Sequence, residues 1–295
     1  MDEIRRRLGP FGVWIAPDTL LRTPVPVQRA QFARIEGLGY GSLWSGEPPA
    51  VSSAGGREAF SQHGLMLAAT ERLVVGTGIA NIGMRDPVAM RGGAATLAEA
   101  YPGRFILGLG GQSGERPLKR LREYLDAMDA ATSILPEVDY PRVLAALGPK
   151  AHELAGERAD GVHPFLQPLE HTALARKALR PGALLVPHQI LTLDTDPDRA
   201  RGRLRAMLSA GGGAMAESPY TRHYRRLGYG DDDLGGDRSD RFVDAVLAWG
   251  DEAAVADRLR AHLAAGADHV LLHPFAPDLP AAVDQLERLV PRLTG

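Results

Sequence analysis

Short apolar runs edged by Gly or Pro alternate with amphipathic stretches along the whole chain. The runs fall at residues 11–16, 42–45, 73–79, 105–109, 142–146, 161–165, 183–193 and 269–273, each rich in Val, Ile, Leu or Phe. Brief, near-continuous apolar segments of this kind are typical of parallel strands buried on both faces. Between them the spacing is helical. Leu118, Leu121, Leu125 and Met128 share one face, Val255, Leu259 and Leu263 recur every fourth position, and Leu279, Val283, Leu286 and Val290 line the last helix. Eight strands alternating with helices predict an α/β fold, a (β/α)8 TIM barrel; a doubly wound open sheet is the alternative, because periodicity does not report closure.

Two regions break the rhythm. Residues 45–58 (SGEPPAVSSAGGRE) form a Pro/Gly/Ser-rich loop after the second strand, and about 199–250 form a helical insertion before the last βα unit. Helices are predicted there near 199–208, 219–227 and 240–248, with Gly211-Gly212-Gly213 and Asp231-Asp232-Asp233 as turn segments. Neither a short repeat nor a dividing linker is present, so residues 1–295 read as a single domain. A barrel of about 250 residues accommodates that length.

Charge and composition then narrow the function. Lys and Arg number 34 against 36 Asp and Glu, a net charge of −2, which gives no electrostatic case for nucleic acid or an anionic membrane. No apolar run approaches the roughly 18 residues a membrane span needs. The Arg5-Arg6-Arg7 start is followed by Gly9, Pro10, Gly12, Pro17 and Asp18, so no signal peptide is expected. The absence of cysteine excludes disulfides, thiolate metal sites and Cys nucleophiles, and a cytoplasmic protein is the expectation. A P-loop, a GxSxG elbow and HExxH are all missing. No histidine pair has metal-ligand spacing, and residues 231–233 lack the glycine and glutamate of a calcium loop, so no metal is expected.

A barrel works at the C-terminal ends of its strands. The Gly108-Leu109-Gly110-Gly111 exit either relieves crowding or leaves backbone bare for a flat ring or a phosphate. Trp14 and Trp44 stand at strand exits, suited to walling a planar ring or to capping the barrel core. His188 and His273 face the barrel mouth or serve as packing residues.

One combination is more specific than its parts. Residues 72–81 (RLVVGTGIAN) lead into Arg85-Asp86-Pro87, and residues 95–110 (ATLAEAYPGRFILGLG) follow. Gly39–Trp44 at the second strand, Leu147-Gly148-Pro149-Lys150 followed by Ala159-Asp160-Gly161, and residues 265–270 (AGADHV) complete the set. In these segments the chain resembles the luciferase-like monooxygenase superfamily, and within it the class dependent on the deazaflavin coenzyme F420. The resemblance covers almost the whole chain and is weakest in the insertion.

The resemblance implies a (β/α)8 barrel with an isoalloxazine-like ring laid across the strand ends, and a non-prolyl cis peptide at Gly78–Ile79 bulging against that ring. It implies cofactor contacts from Trp44, Glu47, Gly78, Ile79 and Asn81, with Gly110, Gly111 and Gln112 along the other side of the ring. Gly148, Pro149 and Lys150, opening a helix over 150–158, would hold the cofactor phosphate through exposed N–H groups and the Lys150 ammonium. A homodimer and a small-molecule substrate are implied as well. The reaction implied is hydride transfer between the deazaflavin and an organic substrate. The alternatives are an FMN-dependent monooxygenase of the same family, or a flavin- or deazaflavin-binding protein without catalysis. Relatives that oxidise alcohols and sugar phosphates often carry Asp-His after the second strand; this chain has Glu47-Pro48, so their histidine acid/base has no counterpart. An acidic residue expected after the fourth-strand glycines is replaced by Ser113, with Glu115 two positions on. Glu47, Glu115 and His273 are the proton-transfer candidates, on position alone.

Overall fold

Prolines and small polar residues set the helix starts. Pro opens the helices Pro17–Arg22, Pro87–Ala100, Pro117–Ala130, Pro149–Arg158 and Pro219–Arg226, where its missing N–H would go unused. Side-chain caps reinforce others: Asp86 accepts from Val88 N at 2.8 Å and Asp251 from Ala254 N at 2.9 Å. The computed structural model describes residues 1–49, 55–111, 115–131, 137–210 and 218–293. Among these, no helix is long and apolar enough to cross a membrane.

The strands are β1 (Phe11–Ile15), β2 (Ser42–Ser45), β3 (Val74–Thr77), β4 (Ala80–Asn81), β5 (Phe105–Gly110), β6 (Arg142–Leu144), β7 (Gly161–Val162), β8 (Leu184–Leu185), β9 (His188–Thr192), β10 (Leu247–Trp249) and β11 (Val270–Pro274). All their pairings are parallel, in the order β10-β9-β11-β1-β2-β3-β5-β6-β7-β8, with β4 against β5. The long seventh run of the sequence is divided at Pro187, which has no N–H for a ladder. On one edge Val186 N donates to Val162 O at 3.0 Å and His188 N to Pro164 O at 3.2 Å. On the other, Leu271 N donates to Pro187 O at 2.9 Å, so residues 186–188 are bonded to both neighbours.

The third run is also interrupted: β3 stops at Thr77, the Gly78–Ile79 peptide is cis, and β4 resumes at Ala80. In the insertion, the helix predicted over 240–248 is shorter. It spans Asp240–Val246, and residues 247–249 are extended as β10, with Leu247 opposite Ile190. Arg258 accounts for the early stop, donating to the carbonyls of Asp244 and Ala245, which a longer helix would have claimed.

Side chains alternate across the sheet, as the period of two requires. Val13, Leu43, Val75, Phe105, Leu107, Leu144 and Leu272 point to the cluster shared with the helices. Their neighbours Trp14, Trp44, Val74, Ile106, Val143, Leu184 and Leu271 form a second cluster, joined by Ile4 and Leu8 of the helix Asp2–Leu8. The insertion has its own cluster, with Leu204, Tyr224, Tyr229, Phe242 and Val243 packed on Ile190 and Leu166. At the entry to β3, Glu36 accepts from the backbone N–H groups of Glu71, Arg72 and Leu73 at 3.0, 2.6 and 3.0 Å. Partial burial opposes its charge, but these donors and Arg72 hold the carboxyl below the usual range.

Candidate functional site

The strand ends on one side of the sheet are tied together by backbone. Gly78 N donates to Ser45 O at 2.7 Å, and Glu47 N donates to Ile79 O at 2.9 Å, so the chain after β2 is laced to the bend after β3. Trp14 Nε1 donates to Gly78 O at 3.0 Å from the other side. Glycine is required in this lacing. A Cβ at Gly46 would lie 2.8 Å from Gly78 O, and one at Gly78 would lie 2.8 Å from Trp14 Nε1 and 3.1 Å from His163 Nε2. Gly111 has φ 82° and lies so close to the Asn81 amide that a Cβ would overlap it.

Glu47 organises the rim. Its buried carboxylate accepts from Ala59 N at 3.1 Å and Asn81 N at 3.0 Å and forms an ion pair with Arg85. Arg85 also reaches Glu58 Oε1 at 3.0 Å, and Glu58 caps the helix Ala59–Ala68 through Phe60 N and Ser61 N. Burial raises the Glu58 pKa, but those donors and Arg85 bring it below the usual range. Asn81 Oδ1 accepts from Gly83 N at 2.9 Å, closing the turn after β4.

These elements surround a cavity of about 900 Å³. It brings together Trp14, Glu47, Gly78, Ile79, Asn81, Gly111, Gly148, Pro149 and Lys150 from the sequence-based set. Others fall elsewhere. Trp44 is fully buried, its Nε1 donating to Ser42 Oγ at 2.8 Å and its ring filling the space that Gly76 leaves free, so it supports the floor without lining it. Gly110 sits behind the wall, where a Cβ would press on Ala145 and Ile79. Gln112 lies outside the described residues.

The three proton-transfer candidates fare no better. Both Glu47 oxygens are occupied as described, and Glu115 is exposed and does not line the cavity. His273 lies behind Trp14, ring centroids 4.6 Å apart, and is likewise absent from the lining. Its proton is fixed by a relay. Leu166 N donates to His188 Nδ1 at 3.3 Å, so His188 donates through Nε2 to His273 Nδ1 at 2.9 Å. Burial pushes His273 down to about 4 and His188 well below its ordinary value.

The cavity also has lining that the sequence reading did not single out. His163 Nδ1 donates to Val186 O at 2.8 Å, which leaves Nε2 as an acceptor, buried and without a partner. Burial pushes His163 down to about 4, so the ring is neutral. The helix Pro219–Arg226 supplies Pro219, Tyr220, Arg222, His223 and Arg226. A signal for His163 existed in Pro164, which ends β7 at Val162 and makes His163 the first residue beyond the strand; the insertion is expected from the sequence to contribute pocket lining, but no signal marks its individual residues. Among the described residues no cluster of three or more His, Asp or Glu is placed to hold a metal.

A Mycobacterium tuberculosis protein provisionally named a coenzyme F420-dependent oxidoreductase is 26% identical over 256 residues, covering 67% of this chain and 72% of that protein. The 5,10-methylenetetrahydromethanopterin reductase of Methanolobus tindarius is 28% identical over 182 residues, 52% of each chain. Among solved structures, an F420-dependent secondary alcohol dehydrogenase in complex with an F420–acetone adduct superposes with a TM-score of 0.73 at 18% identity, over 96% of this chain and 98% of the other. The luciferase-like monooxygenase family model matches residues 11–269, so this chain belongs to the luciferase-like monooxygenase family.

Proposed function

We propose that the protein is a coenzyme F420-dependent oxidoreductase, passing a hydride between the deazaflavin and a small organic substrate. When bound, the deazaflavin supplies a two-electron hydride carrier. The observation that carries this reading is the bare floor of the cavity: Gly46, Gly78 and Gly111 stand where a Cβ would collide with its surroundings, and the buried His163 Nε2 beside Gly78 lacks a partner. A flat ring fits such a floor. The names of the curated relatives support the deazaflavin over FMN.

The chain's own residues then bind and orient. Ile79 and the Gly78 bend support one side of the ring, Asn81 and Gly111 its edge, and Glu47 holds that edge in place through Asn81 N. Gly148, Pro149 and Lys150, at the amino end of Pro149–Arg158, hold the phosphate. Trp14 and Phe165, ring centroids 5.1 Å apart, give the substrate side an apolar wall that excludes water. The same reading treats residues 1–295 as one (β/α)8 barrel, closing through residues 184–192, with the four helices described between β9 and β10 as part of its insertion. A cytoplasmic homodimer goes with it.

The test is titration of the purified protein with F420 and with FMN, followed by absorbance and fluorescence. Saturable F420 binding in preference to FMN is expected, with bleaching or recovery of the deazaflavin band on adding a substrate. Preference for FMN would overturn the cofactor assignment, and tight F420 binding without hydride exchange to any of a broad substrate panel would leave a binding protein.

A further inference from the structure

The insertion helix Pro219–Arg226 meets the amino end of Pro149–Arg158 at the cavity, and positive charge collects where the two meet. The first turn of Pro149–Arg158 is the positive end of a helix dipole, and Lys150 stands on it. Ala151 N and His152 N are both bonded to Gly148 O, at 3.0 and 3.1 Å, which leaves the Lys150 amide over. Arg226 points to the same place: a Cβ at Gly148 would lie 2.8 Å from its Nη1. No described carboxylate is ion-paired with Arg226 or Lys150. Of the acids lining the cavity, Glu47 is engaged by Arg85 and Glu153 is exposed.

His223 gives an independent sign. It lines the cavity, is 5% exposed, and its Nε2 is bonded at 2.9 Å to His171 Nδ1. Its Nδ1, on the other edge of the ring, has no partner, which is rare for a buried polar atom.

We propose that the two helices are the jaws of a phosphoryl-binding clamp, with Lys150 and its amide on one side and Arg226 and His223 Nδ1–H on the other. The clamp requires one of the two tautomeric arrangements open to this pair, in which His171 Nδ1–H donates to His223 Nε2 and the proton of His223 sits on Nδ1. Both rings stay neutral at physiological pH, since burial pushes His171 down to about 3, and burial with Arg226 pushes His223 down to about 4. The clamp rests on the proposed cofactor reading for its location and adds two binding residues to it. The phosphoryl group belongs either to the cofactor side chain or to a phosphorylated substrate.

The experiment uses the full chain at matched ionic strength. Inorganic phosphate in place of chloride is expected to raise the Tm of the wild type and of Arg225→Gln, a neighbour paired with Asp231, but not of Arg226→Gln or His223→Gln. Fluorescence titration then separates the sources. If Arg226→Gln weakens F420 by about tenfold or more and leaves the phosphate-free deazaflavin alcohol unchanged, the group is the cofactor's. If F420 affinity is unchanged while the response to inorganic phosphate is lost, the clamp serves a phosphorylated substrate. Should His223→Gln fail to fold, the wild-type imidazole 15N spectrum decides, an Nδ1–H tautomer protected by phosphate being expected and an Nε2–H tautomer overturning the clamp. Equal phosphate stabilisation of wild type and Arg226→Gln, or none in either, together with unchanged F420 affinity, also overturns it. Failure of the wild type to bind F420 would defeat the cofactor reading while the phosphate arm still judged the clamp.

Discussion

The two sides of the cavity are built on opposite terms. Toward β2 and β3 the polar groups named above are matched: Trp14 Nε1 with Gly78 O, Glu47 with two amides and Arg85, Asn81 Oδ1 with Gly83 N. Toward β7 and the insertion the matching stops, and the nitrogens His152 Nε2, His163 Nε2, His171 Nε2 and His223 Nδ1 are buried without partners. A saturated network is rigid and costly to break, whereas an unsaturated one costs stability and is retained where a ligand completes it. On the proposed reading, the first side carries stability and shape, and the second carries recognition.

Acid is the broadest way to break this contrast, because all nine histidines are held below their ordinary pKa by burial. The unfolded chain takes up protons near pH 6.5 and the folded chain does not, so their contribution is complete above about 6.5. It falls as pH drops toward about 4, the level of His163, His223, His269 and His273. A Tm that declines steadily across this window is expected in calorimetry; a flat profile would mean that the rings are already charged in the folded state.

Next in size is Glu47→Ala, which leaves the partly buried Arg85 with Glu58 as its one remaining carboxylate and unpairs two backbone donors. A loss of about 2–4 kcal/mol in urea unfolding is expected, most of it from the two stranded donors. A loss below 1 kcal/mol would put Glu47 on the recognition side instead. Gly78→Val should cost about 1–3 kcal/mol through overpacking against Trp14 and His163, and should abolish F420 binding by lifting the floor. Retained F420 affinity would show that the ring does not rest there. The smallest effect on stability belongs to Arg226→Gln, within about 0.5 kcal/mol without ligand, since among the described residues its guanidinium has no hydrogen-bond or ion-pair partner to lose. A larger loss would move Arg226 to the structural side of the comparison.

The sequence disclosed most of the saturated side and little of the other. Buried parallel strands leave apolar runs whatever their partners, and all eight runs reappear with their starts displaced by no more than a residue. Gly78, Asn81 and Glu47 were found through motif resemblance, since bare backbone at a strand exit leaves glycine as its mark. Trp44 misled because it stands in register with Trp14, Trp14 opposite Trp44, and only Gly76 on the next strand decides that its ring turns under the floor. The recognition side was hidden for a physical reason: Arg222 and Arg226 four apart on a short polar helix look the same whether they face water or a cleft. Which of the two holds is set by Tyr224 and Phe242 packing on the insertion core, a contact between distant parts of the chain.

Glu36 has a consequence for how damage to this molecule would be interpreted. It touches nothing near the cleft, yet its grip on the three amides before β3 sets where that strand begins and thus where Gly78 ends up. In a screen for inactive variants, changes at this position would cluster with lesions of the cleft itself and could be misfiled as loss of a chemical group, when what had slipped was the anchor at the far end of the strand.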